Sequence, residues 1–240
     1  MNAISLIWIK IKNHKFVGIK KLKMKIGILG TGVVGKTIGS KLIELGHQVM
    51  MGSRTSNNEK ALAWVIESGA LASQGTFADA ASFGEMVFNC SKGEFTLEVI
   101  KLAGEKNLSG KILIDVSNPL DFSKGMPPIL SIINDNSLAE EIQKALPETK
   151  VVKTLNTMNC NLMVNPLLLK GGDHTVFMNG NDNDAKTEVS KLLQSFGWHS
   201  DNIIDMGDIA TARGTEQLLP IWIRLYGKFG TPMFQFKIVK

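Results

Sequence analysis

A chain of 240 residues, 44% of them hydrophobic, can bury a full core, which excludes disorder as its governing state. The formal net charge is +5, but six lysines and no acid fall in residues 1–23, so the other basic residues, 27 less those six, number 21 against 22 acidic ones. Beyond that short extension there is no electrostatic footprint for nucleic acid.

The extension, MNAISLIWIKIKNHKFVGIKKLK, carries an apolar run from Ala3 to Ile9 that Lys10 cuts short. It fits neither a signal peptide nor a bilayer span. Three readings stand: a membrane-surface segment, a disordered tail, or sequence upstream of a native start at Met24. We expect residues 1–23 to be separate from a folded unit of residues 24–240. Two distant cysteines, Cys90 and Cys160, and four scattered histidines have no metal spacing, so no metal site is expected. The same cysteine usage suggests a reducing, cytoplasmic setting, and no run elsewhere suggests stable membrane insertion.

From Met24 onward, short apolar runs alternate with amphipathic stretches. KIGILG reads as a buried strand, Val34 to Leu45 as a helix capped by Gly46, and QVMMGS as a second strand. Asn58 to Ser68 reads as a second helix and TFADAASF as a short helical segment. EMVFNC, FTLEVIKLAGEK and KILIDV then give strand, helix and strand. DFSKGMPPILSIINDN is irregular and is either a functional lid or a surface excursion. SLAEEIQKAL restarts order with an expected capping box of Ser137 and Glu140. KVVKTLN, HTVFMNG and NIIDMG read as strands, with a helix from Asp182 to Phe196 closed by Gly197. Ala210 to Lys228 reads as a long C-terminal helix kinked at Pro220. The fold class is therefore α/β: a Rossmann-type, doubly wound, mostly parallel sheet, extended by C-terminal strands and that helix.

Between the first strand and first helix stands GTGVVG, residues Gly30, Thr31, Gly32, Val33, Val34 and Gly35. Its glycines suit a tight turn, close backbone approach to a pyrophosphate, and close helix packing, with a helix N-terminus supplying N–H donors. The second strand should end beside the adenine ribose, where NAD-binding proteins hold an acid. Here Ser53, Arg54 and Thr55 stand instead. A guanidinium with hydroxyl neighbours suits a 2′-phosphate, so the expected cofactor is NADP(H). Two charge-assisted bonds of about 1.5 to 3 kcal/mol each would favour NADP over NAD by on the order of a hundredfold or more.

The second substrate should lie beyond the other strand ends, at Cys90, Ser91 and Lys92, at Ser117 and Asn118, and at Thr154 and Asn156. Lys92 is either a proton donor or phosphate contact, or a solvated surface charge; Asn118 and Asn156 either serve the site or satisfy local backbone; Cys90 reads as a packing residue. No general acid stands out, and no catalytic residue is assigned. Hydride exchange between a nicotinamide and a flavin-like ring needs little acid–base help.

The stretch KIGILGTGVVGKTIGSKLIELGHQVMMGSR resembles the start of the coenzyme F420-dependent NADP oxidoreductases. KILIDVSNP and KVVKTLN resemble the oxidoreductase domain of the six-transmembrane epithelial antigen of prostate metalloreductases, a likeness running over Met24 to Phe236. SKGEF matches neither family closely, and no membrane-spanning ferric-reductase portion is seen. The resemblance implies NADPH held by Gly30 to Gly35 with Ser53 and Arg54 on the 2′-phosphate. It also implies a deazaflavin or flavin (FMN or FAD) as second substrate near Cys90, Ser91, Ser117, Asn118, Thr154 and Asn156, and a homodimer. Two alternatives remain: a reductase of a small imine or ketone, akin to pyrroline-5-carboxylate reductase, and a non-catalytic NADPH-sensing protein.

Overall fold

A computed structural model describes residues 23–239. Only Lys23 of the basic N-terminal extension is among them, so the expectations for that extension lie outside the described residues. The chain opens with β1 (Lys25–Leu29), α1 (Val33–Glu44), β2 (Gln48–Ser53), α2 (Glu59–Ser68), β3 (Ala72–Thr76) and α3 (Phe77–Phe83). It continues with β4 (Met86–Asn89), α4 (Thr96–Ala103), α5 (Glu105–Leu108) and β5 (Ile112–Asp115). A small antiparallel pair follows, β6 (Leu120–Asp121) with β7 (Ile129–Leu130), and then α6 (Leu138–Ala145) and β8 (Lys150–Thr154). The last elements are α7 (Cys160–Val164), β9 (Val176–Gly180), α8 (Asn183–Ser195), β10 (Ile203–Asp205), α9 (Ala212–Gln217) and α10 (Leu219–Phe229).

Eight strands form one sheet in the order β10-β9-β8-β5-β4-β1-β2-β3. All neighbours are parallel except β8 and β9. The central parallel strands β1, β4 and β5 read as near-continuous apolar runs because helices cover both faces. On one face Ile26, Ile28 and Phe88 pack with Ile38 and Leu42 of α1 and Trp64 of α2. On the other, Leu29, Val87 and Leu113 pack with Phe77 of α3, Val99 of α4 and Ile142 of α6. Successive crossovers leave β1 in opposite directions, toward β2 on one side and β4 on the other. The crevice for a ligand in such a sheet opens at that reversal, beyond the carboxyl ends of β1 and β4.

Several local expectations change. β3, sequence ASQGT, has no apolar alternation to announce it and forms an edge strand paired only with β2. The helix after β4 breaks at Gly104, where φ is 85°, giving α4 and α5. The expected long C-terminal helix divides at Leu218, because Pro220 suits only the first turn of the new helix α10. At Ser137 the capping box is half made. Its hydroxyl accepts from Glu140 N at 3.1 Å, but Ser137 N donates to Asn136 Oδ1 at 2.8 Å. The Glu140 carboxylate is instead drawn to Arg213, whose Nη2 lies 2.6 Å from Glu140 Oε1. A complete box caps α3, between Thr76 and Asp79. Among the described residues, no helix is long and apolar enough to cross a membrane.

Candidate functional site

At the end of β1 the chain turns through Gly30, whose φ of 131° excludes most side chains, and Gly30 N donates to Gly52 O at 3.1 Å. The turn lies so close to β4 that a Cβ on Gly30 would meet Cys90 O at 2.7 Å. Gly35 packs against the same turn, where a Cβ would stand 2.3 Å from Gly30 O. Gly32, the N-cap of α1, differs: a Cβ there would meet nothing within 4 Å, because it faces a cavity of about 410 Å³. The first turn of α1, with Val33 and Val34, holds no acidic residue, so its N–H donors and positive dipole end are open to an anion.

Thr31, Ser53, Arg54, Cys90, Ser91 and Lys92 line that cavity, with Lys60 and Phe95. Ser53 is buried at the end of β2, and its hydroxyl donates to Thr55 O while accepting from Thr55 N at 3.3 Å. Thr55 thus serves the turn through its backbone. The Arg54 guanidinium stands 5.4 Å from the Phe95 ring centroid, with Nε 3.5 Å from Glu98. Lys60 and Phe95 carry no motif. They reach the cavity only because α2 and the turn before α4 converge on the end of β2.

A second cavity, of about 370 Å³, adjoins the first through Ser91 and Lys92. Ser117, Asn118, Leu120 and Phe122 complete its wall, so the irregular segment after β5 contributes Phe122 to the site. Lys92 is mostly exposed at the mouth and stands 3.8 Å from Glu94. Burial, with the Asp115 charge adding to it, pushes the Cys90 thiol up, so Cys90 stays a neutral packing group. Asn118 donates to Asn156 O at 2.8 Å and accepts from Asn156 Nδ2 at 2.9 Å. Asn156 and Thr154 line neither cavity. Asn156 braces Asn118 from behind, and the Thr154 hydroxyl is turned to Phe177 O at 2.7 Å.

Behind this wall lies a buried ion cluster that the sequence reading passed over. Lys153 Nζ donates to Asp115 Oδ2 at 2.7 Å, to Glu216 Oε1 at 2.7 Å and to Ser117 O at 2.6 Å. The signal was present: KILIDV and KVVKTLN are neighbouring strands, and Asp115 is the register partner of Lys153. Glu216 gave none, being remote in sequence. Burial alone would lower the Lys153 pKa, but Asp115 and Glu216 outweigh it and hold the ammonium above the ordinary lysine value. Among the described residues, no cluster of three His, Cys, Asp or Glu could hold a metal ion.

Comparison with known proteins identifies the family. The model of the family described as NADP oxidoreductase, coenzyme F420-dependent, matches residues 25–119. The crystal structure of a proposed F420-dependent NADP reductase from Arthrobacter sp. FB24 is 50% identical with a TM-score of 0.86, covering 90% of this chain and 100% of that one. The chain belongs to the coenzyme F420-dependent NADP oxidoreductase family. The family model and that reductase are both described as NADP-dependent oxidoreductases. The metalloreductase STEAP3 of Rattus norvegicus is 32% identical over 210 residues, which is 85% of this chain and 39% of that protein. The chain thus spans about two-fifths of the length of the curated relatives it matches, at 39% and 37%. Pyrroline carboxylate reductase of Plasmodium falciparum shares the fold alone, at 13% identity, a TM-score of 0.51, and coverage of 86% of this chain and 67% of that one.

In this family member the ion cluster should dominate local stability. Lys153→Met would leave Asp115 and Glu216 buried without a counter-charge, at a cost of about 3 to 5 kcal/mol. Urea unfolding at neutral pH measures it, and a loss near the ~1 kcal/mol of a surface pair would refute the assignment. Because the folded-state pKa of Lys153 is raised, its contribution is fully present below the unfolded pKa and is lost only as pH rises through the folded value.

Proposed function

We propose that this oxidoreductase transfers hydride between NADP(H) and a deazaflavin or flavin ring. One observation carries the reading: a cavity along the glycine turn adjoins a ring-sized cavity through Ser91 and Lys92, at the reversal point of the sheet. The residues of the first cavity suit a dinucleotide. Gly32 leaves room for a phosphate against the backbone, the α1 N-terminus offers N–H donors, and Arg54 and Lys60 supply cations where the adenine ribose would lie. Phe95 provides a face against which Arg54 can rest.

NADPH held there would supply a hydride to an acceptor in the second cavity. The protein's share is to hold the two rings together and exclude water. Leu120, Phe122 and Val116 give the second cavity apolar walls, and its charged side chains, Lys92 and Glu94, are set against one another at the mouth. The buried carboxylate of Asp115 is engaged by Lys153 and stays out of acid–base duty. A small-imine reductase with an all-helical C-terminal domain draws no support from the C-terminal half, since β9 and β10 complete the same sheet.

We also propose a homodimer, built on α10. Only Leu219 of that helix is buried, while Ile221, Tyr226 and Phe229 are exposed. Such an apolar face on one helix suits a second copy.

Three measurements bear on these proposals. Stopped-flow mixing with NADPH and either coenzyme F420 or FMN should show NADPH oxidation in step with bleaching of the acceptor; transfer to neither would overturn the acceptor class. Arg54→Ala should raise the Kd for NADPH by about ten- to a hundredfold and leave that for NADH within about threefold. Equal losses would mean that Arg54 does not read the phosphate. Light scattering should give twice the chain mass, with Phe229→Glu shifting it to the monomer; a monomeric parent chain would dismiss the interface.

A further inference from the structure

The buried ion cluster imposes a direction on the hydrogen bonds that lead from it to the two cavities. Asp115, ionised against Lys153 at 2.7 Å, can only accept. Its Oδ1 receives Asn89 Nδ2 at 2.7 Å, Ser117 N at 3.1 Å and the Ser117 hydroxyl at 2.7 Å. With the Asn89 amide nitrogen held by Asp115, Asn89 Oδ1 faces the other way. There it accepts from Ser91 N at 3.3 Å and from the Ser91 hydroxyl at 2.6 Å. Each serine has one hydroxyl proton, and both protons are therefore committed inward.

What remains on each oxygen is acceptor capacity. A hydroxyl oxygen has two lone pairs. On Ser117 one is approached by Asn89 Nδ2 at 3.4 Å, and on Ser91 one is taken by Thr96 Oγ1 at 2.9 Å, the shorter of the two contacts open to the threonine proton, the other being Lys92 O at 3.3 Å. One acceptor position is left on each. Ser91 lines both cavities and Ser117 the second, so both serines border the second cavity.

We infer that Ser91 and Ser117 receive the amide N–H of the nicotinamide carboxamide, and that Asn89, Asp115 and Lys153 are positioning residues that fix this polarity. The inference rests on the NADP(H) reading of the first cavity and adds the group that orients its ring. It also gives the buried cluster a purpose beyond stability. An ionised Asp115 keeps both hydroxyl protons pointed inward, and a neutral amide at that position could donate to Ser117 and let its proton swing outward.

The test compares NADP⁺ with two analogues by calorimetric Kd on the full chain. In the 3-acetylpyridine analogue a methyl group replaces the carboxamide NH₂, while the thionicotinamide analogue keeps it. The parent protein should bind the acetylpyridine analogue about tenfold more weakly than NADP⁺, and the thionicotinamide analogue within about threefold. Ser91→Ala with Ser117→Ala removes only the two hydroxyls and leaves the ion cluster paired. It should bring NADP⁺ and the acetylpyridine analogue within about twofold, by weakening NADP⁺ alone. Asp115→Asn should compress the same ratio, and Ser117→Thr, which keeps the hydroxyl, should preserve it. A merely structural role would weaken all three ligands in proportion and leave the ratio unchanged, which overturns the inference. Equal affinity of the parent protein for NADP⁺ and the acetylpyridine analogue also overturns it while sparing the cofactor reading. No binding of NADP⁺ at all would remove both.

Discussion

Lys153 occupies a position where an ammonium can remain charged only because two carboxylates touch it. Desolvating an ion costs several kcal/mol, and attraction offsets that cost only when geometry is good and every remaining polar atom is bonded. Here Asp115 and Glu216 each stand 2.7 Å from Nζ, and the Ser117 carbonyl takes a further bond at 2.6 Å. Glu216 in turn accepts from Leu138 N at 2.8 Å and Ala139 N at 3.1 Å, the open N–H groups at the start of α6. One buried cation therefore fixes β5, β8, α6 and α9 against each other. The wall of the second cavity is the outer surface of that arrangement.

The division of labour around the crevice follows from the sheet. Groups on the β2 side, Arg54 and Lys60, are exposed enough to meet a charged ligand from solvent. Groups on the β5 and β8 side bond largely to one another, Asn118 to Asn156 and Thr154 to β9. A site built this way takes its charge recognition at one end. At the other it offers a rigid, mostly apolar compartment with few polar groups, which is the usual composition of a pocket for a flat ring.

Much of this was legible in the chain because it is local. The apolar runs of β1, β4 and β5 mark strands buried on both faces, and the glycine turn with Ser53 and Arg54 depends on spacing along a single β-α-β unit. What stayed hidden depends on pairing. ASQGT becomes a strand only because β2 offers an edge to it. The reversal of β9 is set by residues 155–175, a segment of short helical turns with no periodic pattern. Lys153 and Asp115 read as ordinary strand residues until register brings them together, and Glu216, 63 positions away, completes the cluster. Asn118 could be read as the start of a proline turn, and its bond to Asn156, 38 residues away, gives it another task.

The place of Glu216 bears on how such a protein can be inherited. A nucleotide-binding half is often treated as a portable module to which later elements are appended. In this chain the module's own fifth strand ends in a carboxylate whose cation lies on β8, and that cation's second partner lies on α9. Recombination anywhere between β5 and α9 would separate charges that are stable only in company. The C-terminal elements are thus bound to descend with the glycine turn, and a swap of acceptor specificity would have to arise by substitution around the second cavity rather than by exchange of segments.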